Sequence, residues 1–406
     1  MPKIEPFRAI RYSKNIINDF ICPPYDVINP KEKKTLQKKS PFNIVNIELP
    51  DPVGAKNKYK HAAKLFKEWQ AEGILKQDDE PGLYVYEQVF NDHGIKMTRR
   101  GFFAALKLEN PHAGKGAVKP HEKTLDKPKA DRLSLLKAVK ANISPIFGLF
   151  DDEKLYVVNL LKKISSKRKP AAAAVDEDGV FHKLWTISDQ EIIGDIKKYV
   201  DNKKMFIADG HHRYETAWNY SQLKKEKDKN YSADKEYNYV LAFLCPIEDP
   251  GISIWPTHRV IEKPQDLEAN IEKFFDIYPA KDFSKLSKKD IQPISLYMDK
   301  KQTVLTIKKE DILKKVMKNK GKAYRNLAVS ILHYILMPKI DASDFEYVKD
   351  EKEAVILAVK TNRIALIVPS TPVQSLKTIC LSNEMMPQKS TYFYPKLASG
   401  IVIKNI

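Results

Sequence analysis

The chain has 406 residues, more than one hydrophobic core usually organises, so two domains are expected. Hydrophobic residues make up 43% and charged residues 30%, and no apolar run approaches the ~20 residues of a membrane-crossing helix; the composition is that of a soluble protein with no membrane partner. Seventy Lys and Arg against 52 Asp and Glu give a net charge of +18, a field that attracts nucleic acid or small anions, although Lys-rich helix faces such as Lys31-Glu32-Lys33-Lys34 account for much of it.

The first residues, Met1-Pro2-Lys3-Ile4-Glu5, lack the apolar core of a secretory signal. Cys22, Cys245 and Cys380 are odd in number, far apart and in no metal-ligand spacing, which fits a reducing cytoplasm. Pro23-Pro24-Tyr25-Asp26-Val27-Ile28 reads as a stiff extended segment, because each proline fixes its own φ and biases the residue before it away from helix. A helix follows from about Asn57, with Tyr59, Ala62, Ala63, Phe66 and Trp69 on one face. Leu83 to Phe90 and Arg100 to Leu106 are strands of a hairpin turning near Asn91-Asp92-His93-Gly94. A polar stretch from Glu109 to Lys129 leads to a helix over Asp131 to Val139 and a strand over Ile146 to Phe150.

A second hairpin turns at Glu177-Asp178-Gly179. Ser188-Asp189-Gln190-Glu191 has capping-box spacing and opens a helix to about Val200. Lys204 to Ala208 is a short buried strand, and Tyr214 to Leu223 a helix. Tyr239 to Leu244 and Ile252 to Trp255 are strands, and a domain boundary is placed near Thr257, dividing the chain into 1–256 and 257–406. Beyond it come an amphipathic helix over Leu267 to Phe275, strands at Ile294 to Met298 and Thr303 to Ile307, and an apolar helix over Ala328 to Met337. A last strand over Arg363 to Val368 and a helix from Thr371 follow.

Chemistry concentrates in a few places. Asp209-Gly210-His211-His212-Arg213 lies between a strand and a helix, where helix amides, a guanidinium and a permissive glycine favour an anion. Beside a phosphate, Asp209 suits a magnesium ligand, a general base or an orienter of histidine; the plain alternative is a helix cap. A zinc site on Asp209, His211 and His212 is disfavoured because neighbouring side chains seldom converge on one ion. On the polar stretch, Glu122 is a candidate base, and His121, Thr124, Lys129 and Arg132 are candidate phosphate contacts; a solvated loop is the alternative. His258 and Arg259, and Lys389 and Ser390, repeat the pairing of cation and hydroxyl or imidazole. Cys22 has no base beside it in the sequence, and Tyr392, Phe393 and Tyr394 read as core or interface. Neither a P-loop nor a dinucleotide-binding glycine fingerprint occurs.

The segments Pro6-Phe7-Arg8, Pro23-Pro24-Tyr25-Asp26-Val27, His121-Glu122-Lys123-Thr124, Lys129-Ala130-Asp131-Arg132, Asn142-Ile143-Ser144-Pro145, Asp209-Gly210-His211-His212-Arg213, Pro256-Thr257-His258-Arg259 and Met386-Pro387-Gln388-Lys389-Ser390 resemble, in order, a prokaryotic family known as domain of unknown function 1015. Cys22 stands where that pattern commonly has Ala. The Asp-Gly-His-His-Arg stretch is also similar to the phosphate-handling loop of the ParB and sulfiredoxin superfamily, which includes free-serine kinases. His211 occupies the place of the sulfiredoxin thiol, which argues against redox repair. The resemblance implies an α/β (α+β) fold, with a ParB/sulfiredoxin-like catalytic region followed by a C-terminal α+β domain. It further implies phosphoryl transfer between a nucleotide co-substrate, or pyrophosphate, and a small hydroxyl-bearing metabolite such as serine. On that reading His211, His212, Gly210 and Arg213 hold phosphate, Asp209 places Mg2+, and Glu122 or Asp209 is the base. A nucleotide-dependent nucleic-acid-binding or regulatory protein of ParB type is the alternative, and the oligomeric state is left open.

Overall fold

Strand runs rich in Val, Phe, Tyr and Ile alternate here with amphipathic helices, and the computed structural model shows them assembled as a mixed α/β fold. It describes residues 2–52, 57–124 and 126–406, with the backbone alone at Lys127; Leu125 of the polar stretch lies outside the described residues. The chain divides into two compact units. The first comprises Met1–Pro120, Thr124–Ser253 and Pro395–Ile406, and the second His121–Lys123 and Ile254–Tyr394. No helix among the described residues is long and apolar enough to cross a membrane.

In the first unit a mixed sheet runs in the order Val118–Lys119, Met205–Asp209, Ile146–Phe150, Tyr239–Pro246, Ile95–Lys107, Leu83–Asp92, Phe181–Ile187 and Ala172–Val175, with Ile4–Glu5 paired onto Ile95–Lys107. Met205–Asp209 is parallel to Val118–Lys119, and Tyr239–Pro246 to Ile146–Phe150; the other pairs are antiparallel. Helices Tyr156–Lys167 and Gln190–Asp201 cover the sheet with faces of matched spacing: Val157, Leu161 and Ile164 on one, Ile193, Ile196 and Val200 on the other. Helix Asp126–Val139 packs on helix His211–Lys227, joined by Leu136 and Tyr220.

In the second unit six strands form an antiparallel sheet in the order Phe275–Pro279, Lys301–Ile307, Ile294–Met298, Ile364–Ile367, His258–Ile261 and Glu346–Val348. Helix Glu351–Thr361 covers one face with Ala354 and Ala358, against Val260, Ala365 and Ile367. Leu267, Ile271, Leu332, Leu336 and Ile379 pack on Leu296, Leu305 and Leu366 of the other.

Several local expectations are corrected. Tyr25–Val27 is a 3-10 turn, not extended, since Pro24 supplies an extended cap that a turn can follow. The helix expected from Asp131 starts at Asp126, because Pro128 falls in the first turn, where a missing N–H costs nothing. Asp189 rather than Ser188 caps the next helix, accepting from Glu191 and Ile192 amides. The apolar helix from Ala328 is a short α-helix to Ile331 followed by a π-helical turn over Leu332–Leu336. Strands Tyr392–Tyr394 and Lys404–Asn405 follow the one expected to be last.

Candidate functional site

The Asp209 segment is a strand end and a helix start with one residue between them. Met205–Asp209 pairs with Ile146–Phe150, and its register shifts between Ile207 and Asp209, an irregularity that re-aims the side chains after it. Gly210 then takes φ +88°, and helix His211–Lys227 begins at once, so His211, His212 and Arg213 form its first turn rather than a loop. A glycine is needed: its φ is strained for other residues, and a Cβ would lie 3.1 Å from the Arg213 guanidinium carbon. No side chain caps this helix, which leaves the positive end of its dipole to other partners.

Arg213 turns back onto the strand. Its Nη2 donates to Asp209 Oδ2 at 2.5 Å, and its Nη1 donates to the Pro145 carbonyl. Lys396, from the C-terminal segment of the same unit, donates to Asp209 Oδ1. The three side chains are only 9% to 17% exposed. Burial works to raise the Asp209 carboxyl, but the Lys396 and Arg213 charges, with His211, outweigh it and hold the group well below the usual carboxylate range. Both carboxylate oxygens are thus taken by cations, Oδ2 by Arg213 and Oδ1 by Lys396. Among the described residues no group of three His, Cys, Asp or Glu side chains is placed to hold a metal.

Beside this turn, within the first unit, lies a small cleft with about 50 Å³ of free space, whose polar wall is Glu48, Arg132, Asn142, Ser144, Arg213 and Thr216. Leu135, Leu136 and Val240 contribute apolar wall. Glu48 ends the short helix Val45–Glu48 and is buried; its Oε1 accepts from Ser144 Oγ at 2.7 Å and lies 3.5 Å from Arg132 Nη1. Arg132 also donates to the Glu48 carbonyl at 2.9 Å, pairs with Asp131, and stacks 4.1 Å from the Tyr25 ring. Burial, then Asp26, pushes the Tyr25 phenol up to about 12 against the pull of Arg213 and Arg132. Thr216 is 3% exposed and its Oγ1 has no hydrogen-bond partner. A buried hydroxyl left unsatisfied in a cleft wall is unfavourable unless a ligand or water completes it.

Not every expected residue joins this cleft. Thr124 Oγ1 and Lys129 Nζ, the latter at 2.8 Å, both donate to Glu215, and His112 Nε2 lies 3.5 Å from the same carboxylate. Lys129 also pairs with Asp126 at 3.1 Å. Their charge is thus answered by protein, and the structure gives no direct support to a phosphate there. His211 is buried and His212 partly buried on the first turn.

The remaining expected residues belong to the second unit. His121 Nε2 is 3.0 Å from Thr391 Oγ1, its carbonyl accepts from Met386 N at 2.7 Å, and partly buried Glu122 bridges to Met386. His258 Nδ1 accepts from Val368 N at 3.3 Å, and Arg259 Nη2 donates to the Lys389 carbonyl at 3.1 Å. Ser390 spends its hydroxyl on the Pro387 carbonyl at 2.5 Å, while the Lys389 side chain is exposed. Sequence reasoning missed Glu48, Ser144, Thr216 and Lys396. For Glu48 the signal was a carboxylate inside the apolar run Ile44-Val45-Asn46-Ile47-Glu48-Leu49; for Lys396, 187 residues from Asp209, there was none.

A search of curated proteins gives no match. Solved structures with some likeness include a free serine kinase variant in complex with AMP, at 10% identity and a TM-score of 0.36 over 68% of this chain and 84% of that one. A conserved hypothetical protein from Pyrococcus furiosus has 12% identity and a TM-score of 0.34, over 71% and 92%. SbnI with a C-terminal truncation, from Staphylococcus aureus, has 9% identity and a TM-score of 0.35, over 70% and 82%. Likeness of this size places no residue or ligand in the present chain. The family model described as protein of unknown function (DUF1015) matches residues 4–330, most of the chain and nearly all the segments that build the cleft, and the chain belongs to that family.

Proposed function

We propose that the chain is a phosphoryl-transfer enzyme acting between a nucleotide, or pyrophosphate, and a small hydroxyl-bearing metabolite, with serine and phosphoserine as the pair to test first. The observation that carries this reading is the cleft itself: two guanidiniums, a hydrogen-bonded carboxylate and an unsatisfied hydroxyl meet beside an uncapped helix start. Arg213, Arg132 and the first-turn amides neutralise phosphate oxygens, and Asp209 fixes the direction of Arg213. Serine is chosen because the Asp209 to Arg213 segment resembles the serine-kinase loop, and a ParB/sulfiredoxin-like origin of this turn is part of the proposal. Magnesium arrives, on this reading, with the phosphate donor and not on Asp209.

Glu48 is the base we favour. Its Oε1 is held by Ser144, and its Oε2 has no hydrogen-bond partner among the described residues. In the forward step the substrate hydroxyl oxygen bonds to phosphorus, the bond from phosphorus to the leaving phosphate oxygen breaks, and the hydroxyl proton passes to Glu48. The nucleic-acid alternative has the net charge of +18 behind it but no particular feature of the fold.

The test incubates the protein with serine and ATP, ADP or pyrophosphate, and separately phosphoserine with AMP or ADP, read by phosphorus NMR. Transfer in the parent, reduced about 100-fold or more in Glu48→Gln, is expected. Normal turnover in a folded Glu48→Gln removes Glu48 from the role of base. Absence of transfer to serine or any other small alcohol refutes the proposal.

A further inference from the structure

The second unit buries a charge that the proposed reaction does not use. Arg259 is 0% exposed on strand His258–Ile261, where alternation puts it on the same sheet face as Ile261, the face that packs the larger apolar core. Its Nη1 donates to the Thr257 carbonyl, its Nη2 donates to the Lys389 carbonyl at 3.1 Å, and the Tyr347 ring centre lies 5.6 Å away. Its Nε has no hydrogen-bond partner. The Thr257 and Lys389 acceptors are both neutral carbonyls, whereas a buried cation is costly unless paired with a negative charge.

The surroundings narrow what is missing. His333 sits on the π-helical turn Leu332–Leu336, a kind of irregularity frequent at functional sites, with its ring 5.4 Å from Phe345, which in turn lies 6.2 Å from Tyr347. Its Nε2 is likewise buried without a partner. Burial, then the Arg259 charge, pushes both His333 and His258 down to about 4, so both imidazoles are neutral near pH 7. Asp350 acts on His258, and Asp341 on His333 and Tyr347, so the cluster has negative neighbours, but none of them supplies an acceptor to the Arg259 Nε.

We propose that Arg259 anchors a second ligand site, within the second unit, for the carboxylate of a small organic acid. A guanidinium presents Nε–H and the adjacent Nη2–H as a planar fork, and a carboxylate accepts both in parallel. Binding exchanges the Lys389 carbonyl at Nη2 for one carboxylate oxygen and gives Nε its first acceptor. A phosphate dianion is disfavoured there because it would bury two negative charges against one guanidinium. This site is independent of the phosphoryl-transfer reading.

Titration calorimetry of the full chain with sodium acetate, at ionic strength held constant with sodium chloride, tests it. Saturable acetate binding is expected, weakened at least tenfold in Arg259→Met and in Arg259→Lys, which keeps the charge but lacks the fork. Thermal unfolding verifies that each variant is folded. Arg213→Ala, in the first unit, leaves acetate affinity unchanged while losing pyrophosphate, so failure of the cleft reading and failure of this one give different patterns. Absence of saturable acetate binding, undiminished binding in a folded Arg259 variant, or binding at Arg259 of inorganic phosphate in preference to acetate overturns the proposal.

Discussion

Replacing Arg213 with alanine perturbs the proposed site where structure and ligand share one side chain. The guanidinium holds Asp209 Oδ2 at 2.5 Å and the Pro145 carbonyl, lines the cleft, and is 9% exposed. Breaking a buried pair from one side usually costs about 3 to 5 kcal/mol, but Lys396 still holds Asp209 Oδ1, so a loss of about 2 to 3 kcal/mol is expected. Urea unfolding measures it. Ligand affinity falls separately: charge-assisted bonds to a phosphate are worth about 1.5 to 3 kcal/mol, or roughly 10- to 150-fold in Kd for pyrophosphate or ADP by calorimetry. The acid limb of stability also moves. A carboxyl held below its unfolded value stabilises the fold above the ordinary carboxylate range and loses that contribution only as pH falls through the depressed value. Without Arg213 the depression shrinks and acid unfolding begins at higher pH. A folded Arg213→Ala protein with parental pyrophosphate affinity would refute the assignment of the phosphate site, and an unchanged acid limb would refute the account of the Asp209 pair.

Gly210→Ala places a side chain in the left-handed region and a Cβ against the Arg213 guanidinium, so it should cost about 1 to 2 kcal/mol and weaken pyrophosphate binding together; no change in either shows that the turn tolerates a side chain. Asp249 is 4% exposed and burial pushes its carboxyl up to about 6, despite hydrogen bonds from Gly251 N and Arg100 N and the nearby arginines. Because the folded state binds this proton more tightly than the unfolded chain does, stability should fall as pH rises from about 4 through 6, by roughly 3 kcal/mol from this group. Asp249→Asn should flatten that fall in urea titrations across the range, and an unaltered slope would mean that Asp249 ionises as in water.

Much of the architecture was legible because the hydrophobic period was strong: the hairpin of Leu83–Asp92 and Ile95–Lys107, and the helix Gln190–Asp201 with Ile193, Ile196 and Val200 on one face. Boundaries failed where neighbouring residues compete for one job, as Ser188 and Asp189 do for the cap. The π-helical turn was illegible because an apolar run reads alike in either helical form. At the site, Asp209 to Arg213 stood out by residue type, but the same types serve opposite ends elsewhere. Lys129 and Thr124 have the chemistry of phosphate ligands, yet they meet Glu215, itself in the second turn of the same helix. Glu48 escaped because a four-residue helix is too short to show a period. Lys396 depends on a long-range approach that no local pattern encodes.

That approach bears on how the protein is made. The first unit is interrupted at Ser253 and resumes at Pro395, 142 residues later. At synthesis rates of about 5 to 20 residues per second, roughly 7 to 30 s separate the two. During that interval Asp209 lacks its lysine, Ala141–Asn142 lacks its partner strand Lys404–Asn405, and the Ile10 carbonyl lacks the Ile403 amide. The nascent first unit therefore waits with an open seam, and a chain that ends before Pro395 has an Asp209 short of one cation and an unpaired edge. The final segment acts as a clasp that completes the first unit only after the second unit has been translated.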